Sequence, residues 1–246
     1  MTAPSSFGIV GCGALGAMLA DSLAVAGEVR TYDLASTPGR THAPLADVSA
    51  CDLVICAVPD SALRDAVGSI VPLLGDNSVV MDTVSSKVNA TATLAELLPG
   101  GVDYVASHPL FGPPSMSSIT PGLRLVVTDV RGGHAEAVLV FFAEQFGVDI
   151  VRMTSEEHDR SMAYILALPL FIARVLDRME IDRMPLLDKL SIPSFEKLVT
   201  LAAIERFHSD GMFLTSQCAN PFAADMREAF SNAVVQLRKD LNDGVA

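Results

Sequence analysis

The sequence predicts an α/β chain: a doubly wound, mainly parallel sheet over residues 1–153, followed by an all-α segment over 154–246. Three observations carry that prediction. Short β-rich apolar runs alternate with helical patterns through the first part, as βαβ units do. A glycine-rich turn, Gly11-Cys12-Gly13-Ala14-Leu15-Gly16, joins the first such run to the first helical pattern. At Thr154 the alternation stops, and the chain beyond reads as helices.

Phe7 to Gly11 reads as a buried strand, Ala14 to Ala26 as an apolar helix ended by Gly27, and Glu28 to Asp33 as a second strand. The polar stretch from Leu34 to about Asp47 is too short and broken for a full crossover helix. Asp52 to Val58 is a third buried strand, followed by a helix over Ser61 to Leu74. Next come a strand over Ser78 to Asp82, a helix near Asn89 to Leu98 and a strand over Val102 to Ser107. A strand over Leu123 to Thr128, a helix over His134 to Phe146 and a strand over Val148 to Arg152 complete this part. Thr154-Ser155-Glu156-Glu157 then fits a capping box, with Thr154 as N-cap and Glu157 three residues on. The helix it opens should reach Met179, with a kink at Pro169. A second helix spans about Phe195 to Ser209, and a third starts at Asn220-Pro221 and runs to about Leu241.

Charge and composition exclude whole classes. With 246 residues, half of them apolar and 19% charged, the chain has the means to build a core. Its 17 basic against 29 acidic residues give a net charge of −12, which repels nucleic-acid backbones. The longest uncharged run in the most apolar region, Ser161 to Ala173, falls short of the ~20 residues that a membrane-spanning helix requires. The start, MTAPSSFGIVG, has no basic region of the kind a signal peptide carries. Cys12, Cys51, Cys56 and Cys218 show no C-x-x-C spacing, so they read as reduced thiols of a cytoplasmic protein and not as a zinc site. Metallopeptidase, serine-hydrolase and P-loop motifs are absent.

The glycine turn is G-x-G-x-x-G, a weak signal alone. Here it follows a strand and opens a helix, and Asp33 ends the next strand, as a dinucleotide fingerprint requires. In such a Rossmann-type domain Gly11 permits the tight turn, Gly13 lets a pyrophosphate approach the backbone, and Gly16 lets helix and strand pack closely. Cys12, Ala14 and Leu15 complete the loop, whose helix N-terminus favours an anion. Asp33 should accept hydrogen bonds from ribose hydroxyls and repel a 2′-phosphate, favouring NAD. Arg30 and Arg40 leave NADP open.

Three further strand ends fall on the same edge of a parallel sheet, where ligands bind. They are Val58-Pro59, the run Asp82-Thr83-Val84-Ser85-Ser86-Lys87, and His108-Pro109-Leu110-Phe111-Gly112-Pro113. At these residues the chain resembles the prephenate/arogenate (cyclohexadienyl) dehydrogenases. The match runs through D-x-x-S-x-K at Asp82, Ser85 and Lys87, the His-Pro motif at Ser107 to Pro113, and E-H-D-x-x-M at Glu157, His158, Asp159 and Met162. The resemblance implies a Rossmann domain with a helical dimerisation domain, and NAD(P)-dependent oxidation of a cyclohexadienyl acid, with loss of CO₂ as the ring becomes aromatic. It makes His108 the base that takes the substrate proton, a task suited to histidine. It makes Ser85 a residue that positions His108 or the substrate hydroxyl. Read from the residues alone, His108 could be a structural histidine before a proline, Ser85 a turn or cap residue, and Lys87 a substrate contact, a partner of a carboxylate or a solvated side chain. His158, in the first turn of a helix, reads as structural.

The resemblance also marks a departure. Leu166 stands where the family usually has glutamine or serine, Leu170 where it usually has histidine, and Glu196, with Lys197 beside it, where an arginine for the ring carboxylate is expected. Leucines cannot replace hydrogen bonds, and a glutamate opposes a carboxylate. The substrate has therefore lost or moved a polar group, or carries an amine facing Glu196. The first 153 residues carry 7 basic and 15 acidic groups and the remaining 93 carry 10 and 14, so Arg160, Lys197 or Arg206 could still catch a carboxylate. Two alternatives remain: another hydroxyacid or imine oxidoreductase of the same fold, and a catalytically silent NAD-binding dimer. The long amphipathic helices of the tail lead to an expected homodimer with a small-molecule substrate.

Overall fold

A computed structural model describes residues 3–35, 39, 42–113, 117–183, 187–207 and 210–244, without the side chains of 187, 188 and 204–207. Arg40 and the side chain of Arg206 thus lie outside the described residues. The chain divides into two compact units, Met1–His158 and Asp159–Ala246.

The first unit is built on seven strands: β1 (Ser6–Val10), β2 (Glu28–Tyr32), β3 (Leu53–Cys56), β4 (Val79–Asp82), β5 (Asp103–Pro109), β6 (Arg124–Arg131) and β7 (Asp149–Arg152). Their order in the sheet is β2-β1-β3-β4-β5-β6-β7. The first five are mutually parallel, with Ile9 opposite both Thr31 and Ile55. β3 and β4 are buried along their whole length, which is why Leu53 to Cys56 and Val79 to Met81 read as unbroken apolar runs. β6 pairs antiparallel with β5, and β7 pairs parallel with β6. The reversal has a simple origin: no crossover helix stands between β5 and β6 among the described residues, and a parallel return needs one.

Helices α1 (Ala14–Leu23), α2 (Leu45–Ser49), α3 (Asp60–Ile70), α4 (Lys87–Leu97) and α5 (Gly133–Phe146) cover the sheet. The apolar side chains fall into two clusters. Met18 and Leu23 of α1 and Val138 and Phe142 of α5 pack with Phe7 and Ile9 of β1. Leu63 and Val67 of α3 and Leu94 of α4 pack with Val54 and Val80. Helices therefore lie on both faces, as in a doubly wound sheet. Between β2 and β3 the described residues hold a single helical turn, α2 (Leu45–Ser49), and no full crossover helix.

The capping box is present. The Glu157 amide donates to Thr154 Oγ1 at 3.1 Å, and the Thr154 amide donates to Glu157 Oε2 at 2.8 Å, opening α6 (Ser155–Met162).

In the second unit, residues Ala163–Ala167 form a π-helical turn that leads into α7 (Leu168–Arg178). Pro169 has no amide to give to the carbonyl four residues back, and the helix answers by widening just before it. Then follow α8 (Leu187–Leu190), α9 (Pro193–Phe207), α10 (Asp210–Leu214), a second π-helical turn at Thr215–Ala219, and α11 (Ala223–Asn242). α11 starts three residues later than Asn220, the expected cap. The Asn220 side chain accepts from the Phe222 amide at 2.9 Å and donates to the Asp159 carbonyl at 2.7 Å, holding a turn ahead of the helix. A cluster of Ala163, Ala167, Ala223 and Met226 forms a small core here. Val234, Val235, Leu237 and Leu241 of α11 are each more than half exposed. Cys12, Cys51 and Cys56 are buried and Cys218 is exposed. Among the described residues, no helix is long and apolar enough to cross a membrane.

Candidate active site

The glycine loop sits between β1 and α1, and each of its glycines answers a different demand. Gly11 has φ +92°, a backbone that side chains disfavour, and a Cβ there would lie 2.5 Å from the Ala57 carbonyl oxygen. A Cβ on Gly16 would stand 1.9 Å from the Gly11 carbonyl oxygen, so α1 can approach β1 only without one. Gly13, at the N-cap of α1, has nothing within 4 Å of that position. Its bareness serves no packing purpose inside the chain; it leaves an open approach to the N-terminus of a ten-residue helix.

Asp33 follows β2 and is tied to the same loop. Its Oδ2 accepts from the Cys12 amide at 2.5 Å and its Oδ1 from the Ala35 amide at 2.9 Å. Burial pushes the carboxyl up towards its protonated form, but those two amides and nearby His42 outweigh that, so it is held below its usual range and stays charged. A cavity of about 400 Å³ opens here, lined by Gly11, Gly13, Tyr32, Asp33, Val58 and Pro59 among others. That size lies within the ~300–1,000 Å³ typical of small-molecule sites. An open glycine at a helix N-terminus, a charged acceptor one strand away and an apolar cavity between them fit a nicotinamide dinucleotide. Arg30, which could have met a 2′-phosphate, is instead bound to Glu28 at 2.9 Å and to the Asp47 carbonyl at 3.2 Å.

Because β1 to β5 are parallel, their C-terminal ends line one edge. His108 lies there, one residue before the end of β5. Its Nδ1 is 2.9 Å from Nε2 of His158, a fully buried residue of α6, and the rings meet edge to face at 5.1 Å. Burial first, then His158 and Lys87, push His108 well below the usual histidine range, so its ring is neutral at pH 7. With Nδ1 engaged by His158, a neutral ring that carries its hydrogen on Nδ1 has Nε2 as the nitrogen able to take a proton.

The backbone under His108 is held by an ion pair. Asp82 and Lys87 are both fully buried and paired with each other. Lys87 Nζ also donates to the Ser107 carbonyl at 2.5 Å, the Ser107 amide donates to Asp82 Oδ2 at 3.2 Å, and Ser107 Oγ donates to the Asp82 carbonyl at 2.6 Å. These bonds sit where the β5–β6 register shifts, between Ala106 and Ser107. The Lys87 ammonium, shut away from solvent, thus pairs with Asp82 and ties down the residue before His108. Ser85 is half-buried, and among the described residues no hydrogen bond links it to His108.

The remaining expected residues belong to the second unit. Leu166 lies half-buried in the first π-helical turn. Leu170 is buried on α7. Glu196 and Lys197 are exposed in the first turns of α9. His158, which reads as structural from the sequence, is the residue that the fold sets beside His108. Its position 50 residues after His108 gives no local hint, and the one available signal was the Glu157-His158-Asp159 motif.

Residues 34–120 match the model of the prephenate dehydrogenase nucleotide-binding domain. The chain is 30% identical over 234 residues to 4-amino-4-deoxyprephenate dehydrogenase of Streptomyces pristinaespiralis, covering 93% of this chain and 75% of that protein. It is 28% identical over 174 residues to chloroplastic arogenate dehydrogenase 1 of Arabidopsis thaliana, covering 67% of this chain but 26% of that longer one. The structure superposes on A. aeolicus prephenate dehydrogenase, solved with hydroxyphenyl propionate and NAD+, with a TM-score of 0.77 at 19% identity, over 99% of this chain and 93% of that one. The nucleotide cleft, the histidine at the end of β5 and these similarities agree: the chain belongs to the prephenate dehydrogenase family of nicotinamide-dependent oxidoreductases.

Proposed function

We propose that the chain catalyses the NAD-dependent oxidative decarboxylation of a prephenate-type cyclohexadiene that carries an amino group on the ring carbon to be oxidised. The observation that carries the reaction class is the His108–His158 pair: a partly buried neutral imidazole at the ligand-binding edge, with one nitrogen engaged and the other able to accept a proton. The bound dinucleotide supplies the hydride acceptor. The ring carbon gives up hydride while His108 Nε2 takes a proton from the substrate nitrogen. His158 keeps the imidazole in the required tautomer, and Lys87 and Asp82 hold its backbone. Loss of CO₂ then leaves an aromatic amine.

Two facts support the amine. The relative similar over 93% of this chain is named for the 4-amino compound. Glu196 stands where the family usually places an arginine, and a carboxylate at that position suits a substrate that carries an ammonium group. Asp33, charged and already holding two amides, supports NAD over NADP. The exposed apolar residues of α11 support a homodimer through the helical unit.

The test offers the protein NAD or NADP with 4-amino-4-deoxyprephenate, arogenate and prephenate, following reduced cofactor and CO₂ together. Equal release of both, fastest with NAD and the amino compound, is the expected result. A clear preference for prephenate would overturn the amine, and no turnover with any of the three would sink the reaction class. Light scattering should give twice the 26.0 kDa chain mass; a monomer refutes the dimer.

A further inference from the structure

Beyond Asp33 the nucleotide cavity has a wall supplied by α3. Ala62, Asp65, Ala66 and Ser69 line it, and residues three, four and seven apart share one helical face. Three of these four are small, so a flat ring can lie against the helix, and Leu34 and Leu45 add apolar surface. Asp65 interrupts this otherwise bland stripe with a carboxylate. Its backbone carbonyl accepts from Ser69 Oγ at 2.8 Å, but its carboxylate makes no hydrogen bond among the described residues. The cation next to it, Arg64, is turned to α4, where it grips Glu96 through two bonds of 3.0 and 2.6 Å. An exposed residue with an acceptor-only side chain therefore lines a mostly apolar cavity with room for an aromatic ring.

If the glycine loop takes the diphosphate and Asp33 the adjoining ribose, the base must occupy this end. Adenine presents a donor-only amino group at its 6-position, whereas hypoxanthine and guanine present an acceptor oxygen there. We propose that Asp65 reads the base of the dinucleotide, accepting a hydrogen bond from the adenine 6-amino group and disfavouring 6-oxo purines. The assignment rests on the NAD reading above and adds to it a second acidic determinant, on a different helix from the ribose site.

Equilibrium binding decides the matter without any substrate. The unmodified protein and Asp65→Asn are titrated with NAD and with nicotinamide hypoxanthine dinucleotide, and the two dissociation constants are compared within each protein. The expected preference for NAD is about tenfold, as for one hydrogen bond to a charged acceptor. In Asp65→Asn, whose amide can donate as well as accept, the ratio should shrink to within about twofold. A general loss of helix stability would weaken both ligands alike and leave the ratio unchanged. An equal affinity for both dinucleotides in the unmodified protein, or a ratio that survives the substitution, overturns the assignment while the NAD reading stands. Failure of the unmodified protein to bind NAD overturns both.

Discussion

The two units solve the problem of burial differently. In the first, a seven-stranded sheet has apolar clusters on both faces, and even its charged interior groups, Asp82 and Lys87, are paired inside the fold. In the second, one small cluster of three alanines and a methionine sits among helices that leave several large apolar side chains in the open. Each fully buried Val, Leu, Ile or Phe contributes about 1.5–3 kcal/mol, so the first unit holds its geometry from within. The difference teaches where to look for each property. Chemistry that needs rigid placement, the base and the glycine cradle, lies in the self-sufficient unit. The proposed association falls to the one whose surface still exposes large apolar side chains.

That contrast can be tested, beginning with the largest effect. His108→Ala should lower turnover by about 10²–10⁴ while leaving NAD affinity unchanged, measured by steady-state rates and a binding titration. Surviving activity would remove His108 as the base. Gly16→Ala forces a methyl into the Gly11 carbonyl and should cost about 3 kcal/mol in urea unfolding. Gly13→Ala meets nothing in the chain, should cost at most about 1 kcal/mol, and should still weaken NAD binding about tenfold. Equal effects at the two glycines would contradict the separation of packing from binding. In the second unit, a Val235→Glu/Leu237→Glu double variant should turn the dimer into monomer by light scattering while changing the stability of the first unit by less than about 0.5 kcal/mol. A smaller effect concerns pH. Because the folded chain holds His108 neutral, kcat/KM should stay level as pH falls through 6.5, and a drop centred there would contradict the buried environment. The folded state also binds fewer protons than the unfolded one, so the contribution of this group to stability is lost as pH falls from about 6.5 towards the lower folded value. Thr154→Ala should cost about 1 kcal/mol from the loss of half a capping box, with no change in NAD affinity, read by thermal melting.

Much of this architecture is legible from residues that act on their neighbours in the chain. Gly11, Gly13 and Gly16 announce a tight turn, Thr154 and Glu157 announce a helix start, and the unbroken run Leu53 to Cys56 announces a central strand. What escapes depends on distant partners. An apolar strand reads the same in either direction, so the antiparallel placement of β6 is invisible until the connection before it is seen. Pro169 tells that a helix bond is missing, not whether the helix kinks or widens. Lys87 and Asp82, five residues apart, look like a solvated pair until the Ser107 carbonyl closes over them. His158 gains its meaning only when β5 and α6 bring two imidazoles together.

The uneven burial of the four thiols has a practical consequence. Cys56, enclosed by β-sheet and near Asp82, has its thiol pushed up to about 12, and Cys12 and Cys51 are also shut away from solvent. Alkylating reagents act on the thiolate of an accessible cysteine, and Cys218, in the second π-helical turn, is the exposed one. The native chain thus brings its own attachment point for a single fluorophore or spin label. A reporter placed there, in the helical unit and remote in sequence from the glycine loop, would record association and ligand-driven rearrangement without an engineered cysteine.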